Sequence, residues 1–335
     1  MPTLQDVAKR AGVSTATVSK VLSNTPYFTE ETRQKVLKVV EEIGYVPNLA
    51  AKALSTGKTS IIAMVFPYIF DGIFDDPHTL LILKGMESVV SRNGYNMLLS
   101  TPRIKNNDYD QHYLQLLQSG YLDGVVAIDN IPDHSVIKAA LDLKIPSVTL
   151  GHQKAPHYVQ PDDRLGGKLM TQHLLDLGHR QIGVIAVVDH INLGVNQRVI
   201  GIREMVQEYG LAAETLSFAI GDFSPPSGAK ALRELMDANP NISAVICLND
   251  LMAQGVYEQA LTMGYRIPED LSIVGYDDLP HSRHMSPALT TVDQQGVKIG
   301  IKAMSMLIDL IKGKTPSSLV LPPQLIVRAS TAIPR

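Results

Sequence analysis

The sequence holds one cysteine, no tryptophan and six phenylalanines in 335 residues. A lone cysteine excludes a disulfide framework and any multi-cysteine metal site, and it suits a reducing cytoplasm. Cys247 lies in an apolar run, where an inert buried thiol is expected. Long hydrophobic stretches are missing too. The longest, such as residues 61–66 and 183–188, are strand-sized and far short of a bilayer span, so no membrane segment is expected. The opening MPTLQDVAKR carries Asp6 and no apolar core, unlike a secretory signal. Neither G-x-G-x-x-G nor G-x-x-x-x-G-K-[ST] occurs, and residues 151–167 contain no nucleophile elbow. His281-x-x-His284 has metal-ligand spacing but no convincing third ligand. These absences argue against an enzyme, and no cofactor or metal is expected.

What is present begins with an uneven charge. Residues 1–60 carry eight Lys/Arg against five acids, or +3, which leaves −6 on the rest of a chain whose net charge is −3. A basic end on an acidic body is a weak pointer to a polyanion.

The basic end reads as short helices. Thr3 and Asp6 have capping-box spacing, and Leu4, Val7, Ala8 and Ala11 form an inner stripe. Gly12 supplies a turn. Ser14 caps a second helix that buries Val18, Val21 and Leu22, with Val13 before the cap. A third helix follows Thr29, buries Val36, Val39, Val40 and Ile43, and stops at Gly44. Two helices joined by a tight glycine turn and braced by a third make a helix-turn-helix, whose second helix enters the DNA major groove. Its exposed face is Ser, Thr and Ala, which propensity alone would not select. Thr15, Ala16 and Lys20 fall where bases are read, while Thr17, Ser19 and Lys20 suit phosphates. Packing against protein rather than DNA stays open on this pattern alone.

Residues 48–57, NLAAKALSTG, fit only about two helical turns, too few to be stable without a partner. From residue 61 apolar strands alternate with amphipathic helices. The strands expected are 61–66, 95–100, 124–128 and 146–150, then 182–187, 244–248 and 271–275. That rhythm predicts two α/β lobes with parallel sheets, splitting near Pro161, and a ligand beyond the carboxyl ends of the strands.

The stretches LQDVAKRAGVSTATVSKVLSN, LDLGHRQIGVI, NQRVIGIREM, LNDLMAQGVYEQALTMGY, DLSIVGYDD and PALTTVDQ resemble the lactose-repressor family of bacterial transcription regulators, in order and along nearly the whole chain. The resemblance implies an all-α DNA-binding head over 1–46 and a hinge over 47–60. It also implies a periplasmic-binding-protein-like effector domain over 61–335. Its N-lobe would combine about 61–160 with 292–321, and its C-lobe about 161–291 with 322–335. In the hinge, Asn48, Ala51 and Leu54 would pair across a homodimer in the minor groove. In the cleft, Arg198, Phe223, Asn249, Asp277 and Gln294 would bind a small-molecule effector, with Phe74 and Phe66 as further aromatic candidates. His152 stands where some sugar-responsive members carry an acid, and Lys20 where arginine is commoner. Residues 66–78 depart from the usual Asn-Pro-Phe-containing loop.

The function implied is a cytoplasmic repressor binding near-palindromic double-stranded DNA as a homodimer, under control of a sugar or sugar derivative. A nucleoside or purine corepressor is the next candidate. A solute-binding transport component is the alternative that the body alone would permit. No leucine heptads trail the last strand, so a dimer is expected rather than a tetramer.

Overall fold

Contacts within the computed structural model divide the chain into two units, Met1–Ser60 and Ile61–Arg335. The structure describes residues 2–22, 28–46, 57–66, 76–102, 110–128, 136–151, 155–187 and 193–335. Asn48, Ala51 and Leu54 of the expected hinge, and Phe74 and His152 of the expected cleft, lie outside the described residues.

In the first unit, helix α1 (Leu4–Ala11) starts at a closed capping box. The Thr3 N–H donates to Asp6 Oδ2 at 2.8 Å and the Asp6 N–H to Thr3 Oγ1 at 3.3 Å. Gly12 ends it at φ 63°, a left-handed turn that costs glycine nothing. Helix α2 (Thr15–Leu22) follows at once, and helix α3 (Glu30–Ile43) runs from the Thr29 cap to Gly44. Val7, Ala8, Ala11, Val18, Val21, Val36 and Val39 form the shared core, with Phe28 and Tyr45 packed at its edge.

The second unit contains two six-stranded sheets. The N-lobe sheet comprises β1 (Ile61–Val65), β2 (Asn96–Ser100), β3 (Gly124–Ile128), β4 (Ser147–Leu150), β5 (Tyr158–Pro161) and β11 (Leu319–Leu321). Every pairing in it is parallel. The C-lobe sheet comprises β6 (Ile182–Val187), β7 (Leu216–Gly221), β8 (Ala244–Cys247), β9 (Ser272–Tyr276), β10 (Thr290–Asp293) and β12 (Gln324–Ile326). Only β12 is antiparallel to its neighbour. The chain therefore crosses between the sheets three times, after β5, after β10 and between β11 and β12.

Helices cover both sheets, which is why their strands read as continuous apolar runs. In the N-lobe these are α4 (Pro77–Val90), α5 (Gln111–Gln118), α6 (Val136–Asp142) and α11 (Gly296–Ile311). Helices α4 and α11 share one core with β1, β3 and β4, and α5 and α6 enclose the other face. In the C-lobe α7 (Asp163–Asp176), α8 (Leu193–Glu208), α9 (Pro225–Ala238) and α10 (Asp250–Thr262) enclose a single core. Phe66 belongs to the N-lobe core, 2% exposed, with its N–H on the Ser100 carbonyl. It is a packing residue, which corrects its placement among the cleft aromatics.

One close approach positions the site. A Cβ on Gly167 of α7 would collide with the Arg198 carbonyl of α8, and a Cβ on Gly201 with the Arg164 carbonyl. The two helices thus cross backbone against backbone, and that brings the start of α7 within reach of the Arg198 side chain.

Candidate functional site

In the first unit, Ser14 holds the start of α2. Its Oγ accepts the Thr17 N–H at 3.1 Å and lies 2.9 Å from Thr17 Oγ1. Thr17 is therefore engaged by the cap and half-buried, as is Ser19. Thr15, Ala16 and Lys20 are exposed, while Val18 and Val21 of the same helix are buried. The opening turn of α2 presents two small exposed side chains, Thr15 and Ala16, and Lys20 follows one turn after Ala16. Such a surface can approach base edges closely and meet a phosphate with the lysine.

In the second unit, the C-lobe candidates gather at the carboxyl ends of the strands. Asn249 follows β8, Asp277 follows β9, Gln294 follows β10 and Phe223 follows β7. Arg198 lies on α8 and is only 8% exposed. Its Nε donates to Asp163 Oδ1 at 2.7 Å and its Nη1 to the Leu248 carbonyl at 2.7 Å. The guanidinium stacks on the Tyr276 ring, 3.6 Å from its centroid, and the Tyr276 hydroxyl donates to the same Asp163 oxygen at 3.0 Å. Burial opposes the charge on Arg198, but Asp163, Tyr276 and Asp277 outweigh it and keep the group firmly protonated. Burial also pushes the Tyr276 phenol far above its ordinary value, so it stays a donor.

Asp277 is buried in a left-handed backbone conformation, φ 119°, with its N–H on the Val292 carbonyl at 2.8 Å. Gln294 Nε2 donates to its Oδ1. Burial drives the Asp277 carboxyl well above the usual carboxylate range against the pull of Arg198, with Asp250 and Asp76 adding to the rise.

Two other candidates are tied into the scaffold. Asn249 Oδ1 accepts the Met252 N–H at 2.9 Å as the cap of α10, and its Nδ2 donates to the Phe223 carbonyl at 3.0 Å. Phe223 turns its backbone through φ 73° and packs against the C-lobe core. Asn249 and Phe223 brace each other beside the cleft.

Four residues that the sequence reading passed over belong to this constellation. Asp163 and Tyr276 hold Arg198. Asp76 and His78, at the start of α4, supply the N-lobe side. Asp76 caps α4 through the N–H groups of His78 and Thr79, and it raises the Asp277 carboxyl. His78 is acted on by both Arg198 and Asp163. The dipeptide Asp76-Pro77 was the available signal, since a cap followed by proline marks a helix start on the ligand side of β1.

Residues 3–48 match the family "Bacterial regulatory proteins, lacI family", and residues 171–331 match "Periplasmic binding protein-like domain". The HTH-type transcriptional regulator CelR of Thermobifida fusca is 33% identical over 336 residues, covering 98% of both chains. The HTH-type transcriptional repressor PurR of Proteus mirabilis is 32% identical over 339 residues, 99% of this chain and 97% of that one. Among solved structures, a transcriptional regulator CelR-cellobiose complex superposes with a TM-score of 0.72 at 31% identity, covering 98% of this chain and 100% of that one. The lac repressor dimer bound to operator and the anti-inducer ONPF superposes with a TM-score of 0.86 at 25% identity, covering 99% of both. No described helix is long and apolar enough to cross a membrane.

Proposed function

The chain belongs to the LacI family of bacterial regulatory proteins, DNA-binding transcription regulators, and on that premise we propose that it is a cytoplasmic repressor. It binds a near-palindromic operator as a homodimer and answers to an uncharged, hydroxyl-rich effector, a sugar or sugar derivative, held between its lobes. In the head, Thr15, Ala16 and Lys20 read bases while Thr17 and Ser19 set the helix against the backbone. Asn48, Ala51 and Leu54 form the hinge contact in the minor groove, as the family resemblance implies. Arg198, Asp277 and Gln294 bind the effector, Phe223 and Asn249 shape the cleft wall, and Phe74 and His152 are further candidates for contact with the effector.

The observation that carries the effector class is the clamp on Arg198. Its charge already faces Asp163, and two more carboxyls, Asp76 and Asp277, act on the same space. A phosphate or carboxylate would meet a cation already compensated by Asp163, whereas a polyol meets donors and acceptors without a charge penalty. The carbohydrate bound by the similar CelR structure agrees with this class.

A thermal-shift screen tests it, because a ligand at a hundred times its Kd stabilises the native state by about 2.7 kcal/mol. A neutral sugar, with cellobiose and ribose tried first, is expected to raise Tm by several degrees, and sugar phosphates and nucleosides are not. Asp277→Asn keeps a side chain that tolerates the left-handed backbone, and it should weaken the responding sugar about tenfold. A largest shift from a phosphorylated sugar, or an unchanged Asp277→Asn response, contradicts the assignment.

A further inference from the structure

Asp277 sits in a turn that its own sequence does not favour. Asp277 and Asp278 both have left-handed backbones, φ 119° and φ 50°, and neither is glycine. Aspartate tolerates one such position better than most residues, but two in succession persist only where the surroundings hold them. The bonds that hold this turn therefore decide where the Asp277 carboxyl stands.

Two of them come from the interior. The Asp277 N–H donates to the Val292 carbonyl at 2.8 Å, and the Leu279 N–H to Asp250 Oδ2 at 2.9 Å. Between these, the Asp278 N–H is held only weakly, 3.4 Å from Thr291 Oγ1. Its side chain is fixed instead. Arg328 Nη2 donates to Asp278 Oδ1 at 2.6 Å, with the two side chains only 17% and 16% exposed. Arg328 is itself seated at the start of β10, where its backbone N–H donates to Thr290 Oγ1 at 3.0 Å and its Nη1 to the Leu289 carbonyl at 2.9 Å. The guanidinium thus bridges the start of β10 and the turn after β9. It follows β12, the strand that enters the C-lobe from the third crossing between the sheets.

More carboxyls act on this spot. Asp278 raises both Asp250 and Asp293, and Arg328 lowers Asp293. With Arg328 removed, the Asp278 carboxylate would face these acids without its partner and largely out of water. Rotation of the turn toward ordinary backbone angles relieves that, and it carries Asp277 along.

We propose that Arg328 is a positioning residue of the effector site: its ion pair with Asp278 holds the left-handed turn that places the Asp277 carboxyl. Arg328 acts through Asp277 rather than by contact with the effector. This rests on the effector role of Asp277 proposed above.

Calorimetric titration of the full chain decides it, with the neutral sugar that gives the largest thermal shift as the probe. Arg328→Met keeps the aliphatic stem and removes the pair, and a loss of about tenfold in sugar affinity is expected. The same change is then made in Asp277→Asn. A residue that acts through Asp277 costs less than about twofold further there, whereas one that merely stiffens the fold costs the same factor in both backgrounds. If Arg328→Met does not melt cooperatively, the double variant Asp278→Asn/Arg328→Met replaces it. That variant leaves no unpaired charge and keeps a residue that tolerates the turn, and the same two results are expected of it. Undiminished affinity without the pair, or an equal loss in the two backgrounds, overturns the role of Arg328 and leaves the cleft standing. If wild type binds no neutral sugar, the cleft assignment fails and this proposal fails with it.

Discussion

Asp250 is fully enclosed, and three donors converge on its carboxyl. The Leu279 N–H reaches Oδ2 at 2.9 Å, Ser282 Oγ reaches the same oxygen at 2.5 Å, and Thr291 Oγ1 reaches Oδ1 at 2.6 Å. These bonds fasten the segment after β9, which carries Asp277, to α10 and β10. Gly275 makes room for it, since a Cβ there would strike Asp250 Oδ1. Burial outweighs the donors and pushes the carboxyl up to about 7. A carboxyl whose folded pKa exceeds its unfolded one makes the native state hold more protons. Its contribution to stability is therefore complete below about pH 4 and is lost as pH rises to about 7. Urea midpoints of wild type and Asp250→Asn should differ most near pH 4.5, with the wild-type advantage shrinking toward pH 8. An advantage that grows with pH would mean that the donors, not burial, control this group. At this scale the position of Asp277 directly after an apolar strand was legible from the run before it, while Arg198 and Gln294 were singled out through the family resemblance. Asp163 and Tyr276 were not legible, because their partners are distant in sequence and no spacing announces a contact 35 or 113 residues away.

At the scale of elements, the crossing of α7 over α8 is what assembles the clamp. Gly167→Ala would force a methyl into the Arg198 carbonyl, so the helices must separate and carry Asp163 away from Arg198. Overpacking of this kind costs about 1–3 kcal/mol. The variant should lower the urea midpoint and weaken effector binding together, while the Met1–Ser60 unit, which contains none of these residues, keeps its helical signal. Unchanged stability would show that the crossing is looser than it looks. The seven expected strands all formed, to within a residue or two at their ends; six are runs buried on both faces, which leave an unmistakable apolar signal, and β2 is a half-buried edge. Five strands were not foreseen: β5, β7, β10, β11 and β12. Two of them have only three residues, β5 contains Gln160 and Pro161, and β10 buries two threonines. Strand β7 is a sheet edge that exposes Phe218 and Ile220, so its pattern alternates. The helices of the head were legible to their caps, since Thr3, Ser14 and Thr29 each sit where a capping hydroxyl is required.

For the molecule as a whole, the two units divide the work that the charge asymmetry suggests. A basic head with small exposed residues on α2 is suited to a duplex groove, and an acidic body with a compensated arginine is suited to a neutral ligand. Linkage then requires that any effector preferring one arrangement of the lobes shift operator affinity by the same free energy with which the operator shifts effector affinity. Both halves of that account depend on the chain reading DNA by sequence. The most direct test is selection from random duplex DNA by the purified full-length chain, followed by affinity measurement of the enriched sequences at fixed salt. Enrichment of a two-fold symmetric site is expected, bound about 10³-fold or more tightly than random duplex. Half-site preferences should change when Thr15 and Ala16 are exchanged for other residues. Enrichment of no sequence, or of one without two-fold symmetry, would contradict the account.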